Sequence, residues 1–321
     1  MRDQRGTLYE IPLTIALLLV SLTIAVPQPT WPRRIVAFLF IPGCLLLLFL
    51  LVWAVMRVVF ALQMRRLLGR LESRDPADRR KAAKELEELD SDAREAAPAL
   101  VRSLQDPEEA VRLQAALALA RVKPDESAAV AELVKALQGS NAKSREKAAE
   151  ALGCMGSAAR GAAQDLARAL LDKGWEGRWQ AASALVFIRP EAAKVLAELL
   201  EALKDADPLA AEWAARALGR IEPATPDAVD ALVAAMSDAR RGVRGTAMDS
   251  LGDLGPAAAA AVPGLVQALK DEDSWIRGTA AASLGEIGPA ARDALPELRR
   301  LAVDTDEWVQ RAASEAVSLL S

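Results

Sequence analysis

Apolar positions follow two regimes along this chain. In the first sixty residues they form runs, at 11–26 and 35–56, and the second run has 22 residues without a charge. From residue 58 onward they fall instead at helical spacing, three and four apart, and the spacing itself recurs every 33 residues. Leu86, Leu119, Leu152, Leu185, Leu218, Leu251, Leu284 and Val317 form one column. Leu67, Leu100, Leu133, Leu166, Leu199, Leu232, Leu265 and Leu298 form a second, and Ala82, Ala115, Ala148, Ala181, Ala214, Ala247, Ala280 and Ala313 a third. Columns that stay in register over eight units predict a repeat architecture occupying residues 58–321.

Each unit carries two helical patterns. In the seventh, Leu265 and Leu269 share one face of a first helix, an acidic turn follows at residues 271–274, and Ile276, Ala280, Leu284 and Ile287 stripe a second helix. Gly288-Pro289 and Gly255-Pro256 are stops, the glycine supplying a left-handed cap and the proline forbidding continuation. Neither helix can bury its stripe alone, so consecutive hairpins are expected to stack. The alphabet agrees: 52% of residues are hydrophobic, Ala and Leu dominate, and aromatic residues make up 4%, which favours helix.

The apolar runs read differently. A 22-residue run makes about 33 Å of helix, enough for a bilayer core, so residues 35–57 are expected to span a membrane. Residues 11–26 are expected to form a first span, joined by a Pro-rich turn at 27–34 and preceded by a tail at 1–10. A cleaved signal peptide is the rival reading of that first run, although no small-residue cleavage site follows it. Charge orients the anchor. Residues 1–72 hold eight arginines against three carboxylates, a net of +5, and with the whole chain at −4 the remainder stands at −9. Arg2, Arg5, Arg57, Arg65, Arg66 and Arg70 flank one side and only Arg33 and Arg34 the other. The positive-inside rule then places the repeats on the cytoplasmic side of an inner or plasma membrane. With no Gly or Pro between Arg57 and Leu68, the second span is expected to continue unbroken into the first repeat, a flexible tether being the alternative.

The hairpin pattern, with Pro98, Pro263 and Pro296 bending first helices and an Asp and an Arg six apart, resembles the HEAT repeat family. The Asp–Arg pairs are Asp106 with Arg112, Asp172 with Arg178, Asp238 with Arg244, and Asp271 with Arg277. The resemblance covers about four-fifths of the chain, and the 33-residue period is similar to the short HEAT-like units of phycobilisome lyases. It implies a right-handed α-solenoid of eight HEAT-like helical hairpins, here preceded by two transmembrane helices. It also implies that those Asp and Arg residues form a hydrogen-bonded ladder between units, interrupted where Gly139, Ala211 and Gln310 replace a member.

Chemistry is sparse. The chain has no histidine, which removes His-based nucleophile pairs, most zinc sites and the iron-holding His-Glu pairs of HEAT-type hydroxylases. No phosphate-binding or dinucleotide fingerprint is present. Neither an enzyme nor a cofactor or metal is expected, and the acidic turns at 271–273 and 304–307 read as capping residues. An acidic body also argues against nucleic acid, despite the local strip Arg240, Arg241 and Arg244. What remains is an interaction surface. Taking Ala280 as the buried centre, positions such as 278, 282 and 285 point away from the core. There, units two and four carry Leu113, Leu117, Trp179 and Val186, with Trp213 alongside. These five are candidate contacts for a protein partner, unless curvature or a shifted helix phase buries them. Trp275 and Trp308 are expected to pack one unit on the next. The expected function is therefore a non-catalytic, membrane-anchored scaffold, held in the bilayer through residues 11–57, that offers a concave solenoid face to a protein. An accessory lyase- or chaperone-like factor for a modified or chromophore-bearing protein is the alternative that the resemblance raises.

Overall fold

In the computed structural model of the chain, residues 31–321 are described, with side chains from Leu48 onward except that of Ala192. The tail 1–10, the predicted span 11–26 and the first residues of the predicted turn lie outside the described residues. The chain divides into two compact units, Met1–Arg66 and Leu67–Ser321.

The described part of the first unit is helical. Helix α1 spans Trp31–Leu71, 41 residues without a break. Residues 31–34, expected in the turn, are instead its first turn. Pro32 fits there because the first N–H groups of a helix have no intrahelical acceptor to lose. Within α1 the stretch Leu48–Leu71 is long and apolar enough to cross a membrane, and among the described residues it is one such helix, where two were expected. Leu48, Phe49, Leu51, Trp53, Val55, Val58, Val59 and Leu62 are all exposed. No Gly or Pro interrupts it between Arg57 and Leu68.

The second unit is a run of helical hairpins, and no sheet forms among the described residues. The helices after α1 are α2 (Pro76–Leu89), α3 (Ala97–Ser103), α4 (Glu109–Val122), α5 (Val130–Gln138), α6 (Ala142–Met155), α7 (Ala163–Leu171), α8 (Arg178–Ile188) and α9 (Ala192–Leu203). They continue as α10 (Pro208–Leu218), α11 (Pro226–Ala235), α12 (Arg241–Asp253), α13 (Val262–Ala268), α14 (Ser274–Ile287), α15 (Leu295–Leu301) and α16 (Glu307–Leu320). Even-numbered helices are the second members of the repeats. They pack side by side in order, α2 on α4 through to α14 on α16, and each odd helix from α3 packs on the even helix after it. That stacking is an α-solenoid, and each column of apolar residues supplies its core. Every leucine of the first-helix column is at most 1% exposed and every alanine of the third column is fully buried. In the second-helix column the leucines are fully buried and only Val317, in the last unit, is half-buried. Burying one such leucine is worth about 1.5–3 kcal/mol.

Helix ends follow from the sequence. Asp75, Asp207, Asp273 and Asp306 accept a hydrogen bond from the backbone two residues on, and Asn141 and Thr225 from three residues on. These satisfy N–H groups that the helix cannot. At the far end of the second helices, Asp90, Gly156, Arg189, Gly255 and Gly288 hold positive φ at one column of the repeat. Pro98, Pro263 and Pro296 stand in the first two positions of α3, α13 and α15, each preceded by a 3-10 turn. The predicted bend is thus a change of helix type, made where proline's missing N–H costs least.

Candidate functional site

The row of second helices is held in place by its turns. Arg79 donates from Nε and Nη2 to both carboxylate oxygens of Asp106, at 2.6 and 2.8 Å, and from Nη1 to the Ser73 carbonyl at 2.9 Å. Arg277 repeats this on Asp304 (3.0 and 2.8 Å) and on the Asp271 carbonyl (2.9 Å). Arg145 reaches Asp172 and Arg178 reaches Asp205, each at 2.8 Å. So each arginine bonds the carboxylate 27 residues ahead, in the next unit. For Arg79, Arg112, Arg244 and Arg277 the residue six before supplies only a backbone carbonyl, as Asp106 does for Arg112 (2.8 Å), whereas Arg178 takes the Leu170 carbonyl, eight before it. The Asp side chains also accept their own turn's amide, Asp106 from Glu108 at 2.9 Å and Asp238 from Arg240 at 2.8 Å.

Gaps in the ladder are filled locally. Arg112 faces Gly139's unit and turns instead to Glu132 at 3.0 Å. Where Ala211 leaves Asp238 without its usual donor, Arg240 binds both Asp238 oxygens at 2.8 Å and the Asp205 carbonyl at 2.7 Å. Gln310 keeps the carbonyl bond, to Asp304. Arg244 likewise donates to the Asp238 carbonyl at 3.0 Å, while Arg241 reaches ahead to Asp273. Hydrogen bonds from arginine hold these carboxyls low: Asp238 sits at about 2 beside Arg240, and Asp273 at about 2 beside Arg241. Arg79, Arg145 and Arg277 pull Asp106, Asp172 and Asp304 down in the same way.

A second set of contacts joins neighbouring second helices. The Trp275 ring of α14 lies against Gly245 of α12, and the Trp308 ring of α16 against Gly278 of α14; a β-carbon at either glycine would overlap the ring. A large side chain at the start of one helix thus fits a notch in the helix before it. Between α8 and α10 the notch is missing. Trp179 occupies the glycine position, Leu209 the tryptophan position, and both stay exposed, at 41% and 45%. Trp179 packs on Trp213 of α10 with ring centroids 6.5 Å apart and planes tilted by 31°. Arg216 lies 5.8 Å from the Trp213 ring centre. Phe187, two turns along α8, is 64% exposed.

Beside this patch, α6 and α8 open a groove of about 520 Å³. Ala149, Gly153 and Ala184 line it where the helices approach, a β-carbon on Gly153 lying 3.2 Å from the Ala184 α-carbon. Trp179 and Phe187 also line it from α8, and Lys143, Glu146, Lys147 and Glu150 from α6. Gln180 contributes a buried side-chain oxygen without a hydrogen-bond donor. Cys154 is there too, its thiol pushed up by burial, the opposite of a reactive thiolate.

Further along the row, α12, α14 and α16 present Asp249, Asp253, Glu286 and Glu315, all exposed. Arg220 pairs with Asp253 at 3.0 Å and Arg216 with Asp249 at 3.5 Å. Glu286 leans back onto Gly252 of α12. Burial, then the charges of Asp253 and Asp249, pushes the Glu286 carboxyl up, and burial does the same to Asp253. Among the described residues no group of three or more His, Cys, Asp or Glu side chains is placed to hold a metal ion.

The structure brings together two of the five predicted contact residues, Trp179 and Trp213. Val186 is half-buried, Leu113 is half-buried, and Leu117, expected to point outward, is 5% exposed. The phase was off by about one residue. Position 285 of the repeat faces the next helix, which is why Gly153, Gly252 and Gly285 crowd Ala184, Ser283 and Ala316. The outward column is 286, which holds Phe187, Asp253 and Glu286. Phe187 was missed for that reason, and Leu209 because its column, that of Trp275 and Trp308, was expected to pack one unit on the next. Trp175 is buried, 2% exposed, under the Arg145 guanidinium.

Comparison with known proteins agrees with this architecture. The family profile described as HEAT repeats matches residues 64–153, 196–262 and 262–320, more than half of the chain. Among solved structures, the crystal structure of an engineered protein from the Northeast Structural Genomics Consortium is similar at 24% identity and a TM-score of 0.57. The match covers 80% of this chain and 78% of that one. The likeness is one of fold. A search of curated proteins returns no match.

Proposed function

The chain belongs to the HEAT repeat family, and on that premise we propose that it is a membrane-anchored, non-catalytic scaffold that binds a protein partner on its row of second helices. HEAT repeats generally mediate protein–protein interaction. The observation that carries the proposal is the apolar patch of exposed Trp179, Phe187 and Leu209 beside half-buried Trp213, on a row where later units place ring-covered Gly245 and Gly278 at the Trp179 position and Asp253 and Glu286 at the Phe187 position. Exposed apolar clusters of this kind on an otherwise polar surface mark contact sites, and tryptophan is the residue most often at the energetic centre of an interface.

Anchoring is supported by the length and exposure of α1. Its 41 residues make about 60 Å of helix, roughly twice a bilayer core. Trp53 and Arg57 stack at 5.0 Å where the apolar run gives way to arginines, an arrangement suited to the membrane–water interface. The arginine distribution favours repeats on the cytoplasmic side of an inner or plasma membrane. A non-catalytic role is supported by the absence of histidine from the sequence and by the raised Cys154 thiol.

The test is a crosslinked pull-down from native membranes with the full-length protein, beside the Trp179→Ala/Phe187→Ala variant. A discrete partner lost from the variant supports the scaffold and its face. Absence of any enriched protein overturns it. Resistance of the protein to alkaline extraction and a reporter fused after Ser321 check anchoring and orientation.

A further inference from the structure

The scaffold reading leaves the chemistry of the partner open, and the row of second helices is not uniform in charge. At the groove α6 carries both signs, Lys143 and Lys147 with Glu146 and Glu150, the aromatic patch lies on α8 and α10, and carboxylates follow on α12, α14 and α16. We propose that this face binds an extended polypeptide segment of the partner whose bulky apolar side chains enter the α6–α8 groove and cover Trp179 and Phe187, and whose following residues are basic and meet Asp249, Asp253, Glu286 and Glu315.

Three observations carry this. First, the groove has small residues where its helices approach and aromatic side chains from α8, the shape that receives an anchor side chain. Second, Phe187 and Trp179 stand 64% and 41% exposed at that groove, apolar surface that an entering side chain removes from water. Third, the four carboxylates face two arginines, Arg216 and Arg220, already engaged with Asp249 and Asp253. Glu286 and Glu315 have no cation within salt-bridge distance among the described residues. Burial first, and neighbouring carboxylates after it, raise the Asp253 and Glu286 carboxyls, and an incoming cation offsets that cost of keeping them charged. Neighbouring helices stand about 8–10 Å apart. The path from α8 to α14 is therefore roughly 30 Å, about nine residues of extended chain.

The proposal rests on the scaffold reading but is tested apart from it. Full-length protein in detergent micelles is titrated with two fluorescent synthetic peptides, each about 14 residues long. Both carry the same Leu and Phe anchors, followed in one by alternating Lys and Arg and in the other by alternating Glu and Asp. Fluorescence anisotropy should show the basic-tailed peptide binding about tenfold more tightly or better. That preference should shrink to near parity in the Glu286→Gln/Glu315→Gln variant, whose substitutions are on exposed side chains. Trp179→Ala/Phe187→Ala should weaken both peptides. Equal affinity for the two tails, preference for the acidic one, or saturable binding of neither overturns the proposal. If native membranes still yield a partner that depends on Trp179 and Phe187, the scaffold stands and only the partner chemistry falls.

Discussion

At one position of the repeat, α14 carries Gly278 and α8 carries Trp179. Gly278 is covered by the Trp308 ring of the next helix, whereas Trp179 cannot be covered and stands 41% exposed beside an exposed Leu209. The fold is the same in both places, and so is the arginine ladder that spaces the helices. A single column therefore decides whether an aromatic side chain packs the array or faces outward. The later units seat tryptophan as mortar in a glycine notch, although part of the Trp308 ring stays exposed (36%), and unit four carries Trp179 on the surface with no notch to receive it. The second use adds little to stability, so it calls for another reason to exist.

The largest expected effect acts on what the two regions share. Asp106, Asp172, Asp238, Asp273 and Asp304 all have carboxyls held below the usual range by arginine, two of them at about 2. A folded-state value below the unfolded one contributes stability that is complete above about pH 4 and is lost as pH falls toward about 2. Denaturant melts of the solubilised protein should therefore weaken steeply across that window. Asp253 and Glu286 act in the opposite sense, because burial, with neighbouring carboxylates after it, raises their carboxyls, and protonation as pH falls from neutrality removes that cost. They predict a small gain before the loss, and a monotonic decline from pH 7 would contradict the partial burial of these two charges.

Next in size is the bond beneath the aromatic patch. Arg178 and Asp205 are 9% and 7% exposed at their side chains. Asp205→Ala leaves a buried guanidinium with one hydrogen bond, to the Leu170 carbonyl, and the Asp207 carboxylate 4.0 Å away, and should cost about 3 kcal/mol. A loss under about 1 kcal/mol would mean that α8 and α10 are held by packing alone.

The column itself is tested by exchanging its residues. Gly278→Leu forces the Trp308 ring away and should cost about 1–3 kcal/mol by overpacking. Trp179→Ala removes an exposed ring and should change stability by less than about 1 kcal/mol. Calorimetry of both variants separates mortar from surface, and a cost for Trp179→Ala as large as for Gly278→Leu would erase the distinction.

How much of this was legible depended on whether a residue answers to its own unit or to the next. The helix count, the Leu and Ala columns, the glycine stops and the proline bends are local, and the period displays them. The ladder was half legible. The Asp and Arg stand six apart in sequence, but that spacing encodes a carbonyl bond, and the carboxylate partner lies 27 residues away in the next unit. The patch was legible through Trp179 and Trp213 and blurred by a phase error of about one residue. That error placed Leu117 outside and overlooked Phe187. The glycines at 153, 252 and 285 held the signal, since a glycine column inside a helix marks where another backbone approaches.

The smallest effect concerns the helix end that both regions also share. Gly156, Gly255 and Gly288 take positive φ there, and so do Asp90 and Arg189. At Asp90 the backbone has φ 54° and ψ −140°, a region that a β-carbon makes costly and glycine enters freely. The Asp90 side chain recovers part of that cost by accepting the Ser91 amide at 2.7 Å. Removing the β-carbon relieves strain in the folded chain, loses that bond and adds freedom to the unfolded chain. The balance for Asp90→Gly should be a gain of about 0.5–1 kcal/mol, read as a shift of the denaturation midpoint. Arg189, at φ 52° and ψ 72°, lies in the milder left-handed region, so Arg189→Gly should gain less. If both substitutions destabilise equally, the side chains at this column matter more than the backbone they strain, and the stop is set by the hydrogen bonds of the turn.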